Sequence, residues 1–409
     1  MSAIWPLLLL CVACTGTRTD EPARSVPSTS KSVVAVAHVA PAGSLESSAE
    51  PSLILAAAGD VNLGRACGQR LLTDASFDPW HGIAPLWADA DVRFVNLESV
   101  LSEQHGETQS PHHPLVFTGP PWGADALARA GIGMVSTANN HAWDYASRGL
   151  LETLSNLDRV GIAHAGTGVA EAEAYRPALL RVNGLTIALF AVTQVWNLGV
   201  FAQEEARHHV AWADSARLRE ALQRARTEVD FVVVSYHGGE EYTYEPLPKT
   251  RAFVEEMLKL GADAVIGHHP HVTQGVAWQG NKPIFYSLGN LVFDGRSNYP
   301  WTRASFLSKL RFQRGHAPEV SVCPFLIDGY EPRALTAKDA APRREFERHL
   351  RELSDTVGGT SIGDVDALGC YALTPPSGAP AIPLRDRPRA DRVSAQLAPP
   401  RSRTTPQAD

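Results

Sequence analysis

Five short apolar runs in this 409-residue chain each end in a carboxylate, an amide or a histidine. Segments with helical periodicity separate these runs, and the alternation is typical of a layered α/β fold. Because ligand sites of such folds form at the carboxyl ends of the strands, we expect the five ends to meet in one cleft. The predicted strands cover residues 53–58, 92–97, 133–137, 231–235 and 264–266.

The other regular segments continue the same pattern. Asn183-Gly184 lies between two apolar runs and is the strongest short signal for a β-hairpin. A second hairpin is predicted around residues 279–282, and later strands at residues 306–312 and 320–327. Helices are predicted over residues 124–130, 147–160, 215–228, 249–260 and 343–353.

Carboxylates follow the first two predicted strands. Asp60 comes after the first strand and Glu98 after the second. A carboxylate in this position is a suitable ligand for a divalent metal, and Glu98 is able to bridge two ions. Each residue also has a simpler interpretation, because Gly59-Asp60 is a common turn sequence and an isolated glutamate usually lies on the surface.

The third predicted strand ends in two amides and a histidine, which are costly to bury without partners. Asn140 offers a neutral carbonyl ligand. His141 comes one residue later and points elsewhere, which makes it a candidate to protonate a leaving oxygen. Asp144 either orients the His141 imidazole or caps the following helix, and the sequence leaves both interpretations open.

Histidines follow the fourth and fifth predicted strands. His237 is either a site residue or a core histidine bonded to the backbone, and Glu241 either supports the site or lies on the surface. The fifth strand leads into three histidines within four residues, and imidazole is the commonest metal ligand. His269 and His271 can serve two neighbouring ions. His268 replaces His269 if the predicted register is wrong by one residue.

Together these side chains are a donor set for divalent transition metals. Carboxylates, an amide and several imidazoles suit Mn, Fe or Zn, and the lack of cysteine ligands argues against a structural zinc. Two such ions about 3.5–4 Å apart can clamp a phosphate ester during hydrolysis. The sequence contains no glycine-rich phosphate loop, nucleophile elbow or dinucleotide fingerprint that would favour another chemistry.

Several motifs resemble, in order and spacing, the CapA family of capsule or poly-γ-glutamate synthesis proteins, which are similar to calcineurin-like metallophosphoesterases. The resemblance covers about residues 53–295 and rests on GDVNLGR (59–65), NLESVLS (96–102), FTGPP (117–121), NNHAWDY (139–145), HGGEEY (237–242), GADAVIGHHPHV (261–272) and YSLGNLVFD (286–294). It implies a four-layer α/β/β/α sandwich of the metallophosphoesterase type with two divalent metal ions. It also implies that His141 is the general acid and that the metal ligands are Asp60, Glu98, Asn140, His237, His269 and His271.

The chain departs from the usual metallophosphoesterase pattern at three places. Asn62 stands where a histidine is usual in the first motif, and Glu98 stands where the bridging acid is usually aspartate. Gly238 replaces the tryptophan that is common after the lone histidine. Asn290 and Asp294, in the last motif, either line the cleft or have a structural role at the end of a hairpin.

The two ends of the chain differ from the middle. Residues 1–14 resemble a lipoprotein signal peptide that ends at a lipidated Cys14, and an ordinary cleaved signal peptide is the alternative. Residues 15–51 and 374–409 are rich in small and polar residues and are expected to be a disordered tether and tail. The folded domain is then expected at residues 52–373, in the bacterial cell envelope outside the cytoplasm, either lipid-anchored or secreted.

Charge and cysteine content limit the partners. The formal net charge of -7 provides no basic field for nucleic acid. Beyond the signal region only Cys67, Cys323 and Cys370 remain, and the sequence leaves open whether the last two pair. The expected partners are a phosphate-ester substrate or an anionic surface polymer, the membrane through the lipid anchor, and membrane ligase or export components.

Two functions are compatible with these features. The first is a metal-dependent hydrolase that acts in capsule, poly-γ-glutamate or related surface-polymer biosynthesis. The second is a non-catalytic, membrane-tethered accessory protein that binds or anchors an anionic polymer during export. A family resemblance does not decide between them, because function depends on the site and not on the fold.

Overall fold

The computed structural model describes residues 50–294 and 298–378. The predicted signal peptide, Cys14 and nearly all of the predicted tether and tail lie outside these residues. No helix in the described ranges is both long enough and apolar enough to cross a membrane.

Helices are distributed along the whole described part of the chain. The α-helices are α1 (Arg65–Thr73), α2 (Gly123–Arg129), α3 (Ala146–Val160), α4 (Glu171–Ala174), α5 (Val200–Ala206), α6 (Ser215–Glu228), α7 (Pro248–Leu260) and α8 (Ala340–Asp355). Short 3-10 helices cover His81–Trp87, Pro300–Arg303 and Ala337–Asp339.

Strands alternate with these helices in the first two thirds of the chain. The first nine are β1 (Ser52–Val61), β2 (Val92–Leu97), β3 (Val100–Leu101), β4 (Thr118–Gly119), β5 (Ile132–Ser136), β6 (Ala163–Ala165), β7 (Ala178–Val182), β8 (Leu185–Thr193) and β9 (Phe231–His237). The others are β10 (Ala264–His268), β11 (Val276–Gln279), β12 (Lys282–Phe285), β13 (Asn290–Val292), β14 (Ala304–Gln313), β15 (Glu319–Asp328), β16 (Glu331–Ala334), β17 (Ser361–Val365) and β18 (Tyr371–Thr374).

The strands form two large sheets and one small one. The first large sheet has the order β17-β18-β15-β14-β1-β2-β5-β6, with β13 also paired to β1 and β16 to β15. In it β1, β2, β5 and β6 are parallel, whereas β14 runs antiparallel to β1. The second has the order β11-β12-β10-β9-β8-β7, with parallel pairing from β8 to β12. Strands β3 and β4 form a separate pair.

Three hydrophobic clusters show how the sheets and helices are layered. One cluster joins the two large sheets, with Leu55 of β1 and Val233 of β9 among its members. The neighbouring residue Ala56 of β1 belongs to a second cluster, together with residues of α1 and α2. Val234 of β9 belongs to a third, together with residues of α6 and α7. Each sheet thus packs on the other sheet through one face and on helices through the opposite face, and the predicted α/β/β/α sandwich is confirmed.

The predicted elements agree closely with the observed ones, with informative differences at strand ends. β9 continues two residues beyond its predicted end and includes His237, and β10 continues to His268. These two residues are in register as a parallel pair. Their side chains are therefore held by strand backbone and not by the following loops.

The two cysteines whose pairing the sequence left open form a disulfide. Cys323 lies in β15, and Cys370 immediately precedes β18, the antiparallel neighbour of β15. Cys67 in α1 is a buried free thiol in the same hydrophobic cluster as both.

Candidate metal centre

The carboxylate of Asp60 lies at the centre of the site, near the end of β1. In the sheet, Asp60 is in register with Asn96 on one side and Asn290 on the other. Its Oδ1 accepts a hydrogen bond of 2.9 Å from Nδ2 of Asn96, and its Oδ2 accepts one of 3.2 Å from the backbone N–H of His269. The side chain is completely buried. Its two hydrogen bonds connect β2 of the first large sheet with the segment that follows β10 of the second.

Gly59 allows the backbone of β1 to come this close to its neighbour. A Cβ at position 59 would overlap the carbonyl oxygen of Gly289, which accepts a hydrogen bond of 3.0 Å from the backbone N–H of Asp60. Any side chain at position 59 would therefore push the Asp60 backbone away from the segment that leads into β13.

Glu98 is fully buried just beyond the end of β2. Its Oε1 lies 3.7 Å from Nε2 of His237 and 3.8 Å from Nε2 of His271, and neither carboxylate oxygen has a hydrogen-bond partner among the described residues. Burial, followed by the negative charges of Asp60 and Glu241, raises the pKa of Glu98 well above its usual range. A buried carboxylate without donors is costly, so this position calls for a cation.

Two amides hold the imidazole of His237. Its Nε2 lies 2.7 Å from Oδ1 of Asn140, and its Nδ1 lies 3.2 Å from Nδ2 of Asn96. Because an amide oxygen only accepts and an amide nitrogen only donates, these contacts correspond to a neutral ring protonated on Nε2, and this proton would have to leave before Nε2 could bind an ion. Burial, followed by the neighbouring His269, lowers the pKa of His237 well below its usual range.

The segment after β10 has an unusual backbone. His269 has a φ of 100° and His271 a φ of 57°, although neither is glycine. Residues in such conformations are held there by the surrounding structure and are concentrated at functional sites. Nδ1 of His269 is buried without a hydrogen-bond partner among the described residues. Burial, followed by His271, lowers the pKa of His269 to about 4, so this ring is neutral at pH 7, as a metal ligand must be.

Asn290 orients the imidazole of His271. Its Oδ1 lies 2.9 Å from Nδ1 of His271, and its Nδ2 donates a hydrogen bond of 3.0 Å to the carbonyl of Thr302. Nδ1 of His271 also lies 3.4 Å from Oδ2 of Asp60. Burial alone would raise the pKa of Asp60, but the contacts with His268 and His271 hold it well below its usual range.

These donors form two adjacent groups that share one carboxylate. Ligand atoms of Glu98, His237 and His269 lie within 4.8 Å of one another, and the same holds for Asp60, Glu98 and His271. The unpaired oxygens of Glu98 and the unpaired Nδ1 of His269 fit this arrangement, because a cation would satisfy them. The donor set suits divalent metal ions, with Glu98 between the two groups.

His141 lies beside this cluster with its own partner. Nδ1 of His141 is 2.9 Å from Oδ2 of Asp144, and that oxygen also accepts a hydrogen bond of 2.9 Å from the backbone N–H of Phe117. Helix α3 begins at Ala146 without a side-chain cap. The sequence left open whether Asp144 orients the His141 imidazole or caps α3. The contacts of Asp144 are those of a residue that orients the imidazole, and the interpretation as a helix cap is wrong.

The other predicted site residues have different positions. Oδ1 of Asn62 accepts a hydrogen bond of 2.7 Å from the backbone N–H of Gly64, so Asn62 shapes the turn before α1. Nδ1 of His268 is 3.5 Å from Oδ1 of Asp60, and the ring packs edge-on against Phe94, outside both groups. Glu241 lines the cleft above the site.

Several residues of the site were missed or given no role at the sequence level. Asn96 links Asp60 to His237, and Asn139 donates a hydrogen bond of 2.8 Å to the carbonyl of Leu97 while accepting one from the backbone N–H of His141. Nδ2 of Asn197 lies 3.4 Å from Nε2 of His141. Asn96 and Asn139 had a visible signal, since each is a buried amide next to a predicted ligand.

An open cleft leads to the site. Its wall combines aromatic rings with charged side chains, and His141 and His271 are at its base. The other lining residues are Arg65, Leu115, Phe117, Glu241, Tyr242, Asn290, Phe293, Asp294 and Thr302. Asn290 and Asp294, whose role the sequence left open, thus both line the cleft.

Known proteins with similar sequences come from several bacteria. "PGA biosynthesis protein CapA" of Bacillus subtilis is 28% identical over 298 residues, which are 73% of this chain and 77% of the relative. "Capsule biosynthesis protein CapA" of Bacillus anthracis is 28% identical and covers 70% of each chain. "Probable polyglutamine synthesis accessory protein" of Mycobacterium tuberculosis is 27% identical over 50% of this chain and 56% of the relative.

Among solved structures, a 5'-nucleotidase from Candida albicans is similar at a TM-score of 0.36 and 8% identity, over 63% of this chain and 46% of that one. That similarity is too low to support an argument. The sequence profile of the bacterial capsule synthesis protein PGA_cap family matches residues 54–295, which include both donor groups. The CapA resemblance is confirmed, and the chain belongs to the PGA_cap family of bacterial capsule synthesis proteins.

Proposed function

We propose that this protein is a metal-dependent hydrolase of the phosphoesterase type that acts in the biosynthesis of a polyglutamate capsule or a related anionic surface polymer. One observation carries the proposal: the Glu98 carboxylate is buried, has no hydrogen-bond partner among the described residues, and lies between two groups of metal-type donors. The names of the Bacillus relatives support the polymer process.

The two donor groups support an assignment of the residues that would hold metal. Asp60, Glu98 and His271 would hold one divalent ion, and Glu98, His237 and His269 a second, with Mn, Fe or Zn as the expected elements. Asn140, whose Oδ1 lies 2.7 Å from Nε2 of His237, would be a further ligand of the second group. Bound ions would supply Lewis-acid stabilisation of negative charge on phosphoryl oxygens.

We infer that His141 transfers a proton during hydrolysis. Asp144 accepts from Nδ1 of His141 and fixes the ring, which leaves Nε2 as the atom that exchanges a proton at the base of the cleft. We expect that Nε2, once it carries a proton, gives it to the leaving oxygen of the ester while a water adds to phosphorus and the ester bond breaks. Asn197, at 3.4 Å from the same nitrogen, would yield this position to substrate.

We also propose that the protein works outside the cytoplasm, tethered through a lipid on Cys14, with secretion as the alternative. The disulfide between Cys323 and Cys370 supports export, because such bonds persist in oxidising compartments. A Cys14→Ser variant that still fractionates with membranes would contradict the lipid anchor. In the same proposal, residues 15–51 are the tether between the lipid and the folded domain, and residues 374–409 are the tail that follows the domain.

Metal analysis combined with a substrate panel tests the proposed activity. Protein purified without chelator is expected to contain two divalent ions per chain and to hydrolyse a member of a phosphomonoester and phosphodiester panel. His141→Ala should strongly lower turnover while the metal content stays at two. Protein that binds metal but hydrolyses no ester, and instead binds polyglutamate equally well after His237→Ala and His269→Ala, would favour the non-catalytic accessory function.

A further inference from the structure

Arg65 is fixed at the mouth of the cleft by its backbone. It is the first residue of α1 and has a φ of 49°, a conformation that L residues rarely adopt. The backbone N–H of Arg65 donates a hydrogen bond of 2.9 Å to the carbonyl of Thr108, and the Thr108 hydroxyl donates one of 3.0 Å to the carbonyl of Arg65. The base of this side chain is therefore held in place before any ligand arrives.

The guanidinium of Arg65 lies over rings that contact the candidate site. Its central carbon is 4.5 Å from the ring centre of Phe117 and 6.0 Å from that of Phe293. The Phe117 ring in turn lies 4.0 Å from the ring of His141, and the Phe293 ring 4.5 Å from that of His271. The positive charge is thus positioned one aromatic ring away from both the proton donor and a metal ligand.

Arg65 also brings positive charge to a cleft that contains acidic side chains. Within the described part of the chain it is the one lysine or arginine that lines this cleft, which also contains the acids Glu241 and Asp294. Burial raises the pKa of Asp294, and the charge of Arg65 opposes that rise. A purely structural role as a counter-charge is therefore the competing explanation, and an experiment must separate the two.

We propose that Arg65 determines the substrate specificity of the cleft by binding an anionic group of the substrate, through two parallel hydrogen bonds to carboxylate or phosphate oxygens. This inference rests on the proposed function for the location of the reacting bond. Arginine is suited to the role because its planar guanidinium matches both anions and packs on aromatic rings. Carboxylate and phosphate oxygens can both accept this pair of hydrogen bonds. Separate binding measurements with each anion show which group of the substrate Arg65 recognises.

Anion binding to the metal-loaded protein tests the proposal. Inorganic phosphate and a γ-linked glutamate oligomer are titrated separately by calorimetry into wild type, Arg65→Gln and Arg65→Lys. Arg70→Gln is the matched control, because Arg70 is on the same helix, makes an exposed ion pair of 3.5 Å with Asp74, and does not line the cleft. Metal content and thermal unfolding are measured for each variant.

Arg65→Gln is expected to weaken binding of one probe by about 10- to 100-fold, the usual effect of losing a charged hydrogen-bonded contact, while Arg70→Gln changes it less than about 2-fold. Arg65→Lys should recover part of the loss, because it keeps the charge but not the planar fork. The probe that responds shows whether carboxylate or phosphate is recognised.

Unchanged affinity for both probes in Arg65→Gln, with metal content retained, would overturn the proposal. If Arg65→Gln does not fold, Arg65→Lys decides alone, since affinity equal to wild type would rule out a bidentate contact. These outcomes are distinct from failure of the proposed function, because binding is measured without turnover. A protein that hydrolyses no ester but loses anion affinity in Arg65→Gln would support Arg65 and contradict hydrolysis.

Discussion

Oδ2 of Asp144 lies 2.9 Å from Nδ1 of His141 and also accepts a hydrogen bond from the backbone N–H of Phe117. Phe117 is the residue whose ring stacks near both His141 and Arg65. One carboxylate therefore fixes the orientation of the imidazole and the position of the loop that forms one wall of the cleft. Changes at Asp144 are expected to affect both.

Loss of the imidazole should remove the proton-transfer step without emptying the metal centre. His141→Ala is expected to lower kcat by about 100- to 10,000-fold, the usual contribution of general acid catalysis, with unchanged metal content. Steady-state kinetics on an ester substrate and metal analysis check this. Asn197→Ala serves as the comparison, since it removes a neighbour of Nε2 but no protonatable group. Loss of metal in His141→Ala would contradict the assignment.

Glu98→Gln should have opposite effects on the metal-free and metal-loaded protein. Without metal, removing a buried unpaired carboxylate is expected to raise the free energy of unfolding by about 1–3 kcal/mol at pH 8. With Mn²⁺ present, the variant should be less stable than wild type, because both donor groups lose their shared ligand. Urea unfolding with and without chelator measures both effects. Glu240→Gln, which changes an exposed carboxylate that does not line the cleft, should show neither.

The metal-free protein should lose stability as the pH falls from about 6.5 to 4. The pKa of His269 is lowered to about 4, so below pH 6.5 the unfolded chain takes up a proton that the folded chain does not. This difference is worth about 3 kcal/mol at pH 4 and is absent above pH 7. Unfolding of wild type and His269→Gln in chelator, compared across this range, isolates the contribution. Parallel pH profiles for the two proteins would contradict it.

The disulfide should stabilise the edge of the first sheet. Cys323 and Cys370 are 47 residues apart in sequence, and opening a loop of that size is expected to cost about 2–4 kcal/mol. Urea unfolding of wild type and a Cys323→Ser, Cys370→Ser variant, both with Cys67 intact, measures the difference. Identical unfolding curves would indicate that the pairing of β15 with β18 does not depend on the bond.

The sequence predicted the parts of the site that are carried by strands. Apolar runs with a polar residue at the end located Asp60, Glu98 and His237, because strand direction and side-chain alternation are local properties of the chain. The same reasoning predicted the strands of a layered α/β fold but not their order, since strand pairing depends on contacts between residues far apart in sequence.

The contacts that the sequence could not predict are those made across loops. Nothing local to Asn197 indicates that its side chain lies near His141, and nothing local to Arg65 indicates that its side chain lies over Phe117, because both contacts join residues far apart in sequence. Asn62 shows a different ambiguity: its motif position suggested the metal site, and its Oδ1 accepts a hydrogen bond from the backbone N–H of Gly64. Short polar side chains often satisfy their own backbone in this way, and a motif alone does not distinguish the two.

Two glycines of the site motifs are required for reasons of space. A Cβ at Gly59 would overlap the carbonyl oxygen of Gly289, and a Cβ at Gly267 would overlap that of Tyr286. Neither glycine has a positive φ, so what they permit is the close approach of neighbouring backbones. Such glycines would be retained even in a descendant that had lost its metal ligands, because the sheets still have to assemble. Family membership therefore shows that the two sheets assemble in this way. Whether such a protein binds metal and is catalytically active has to be determined from each ligand position separately.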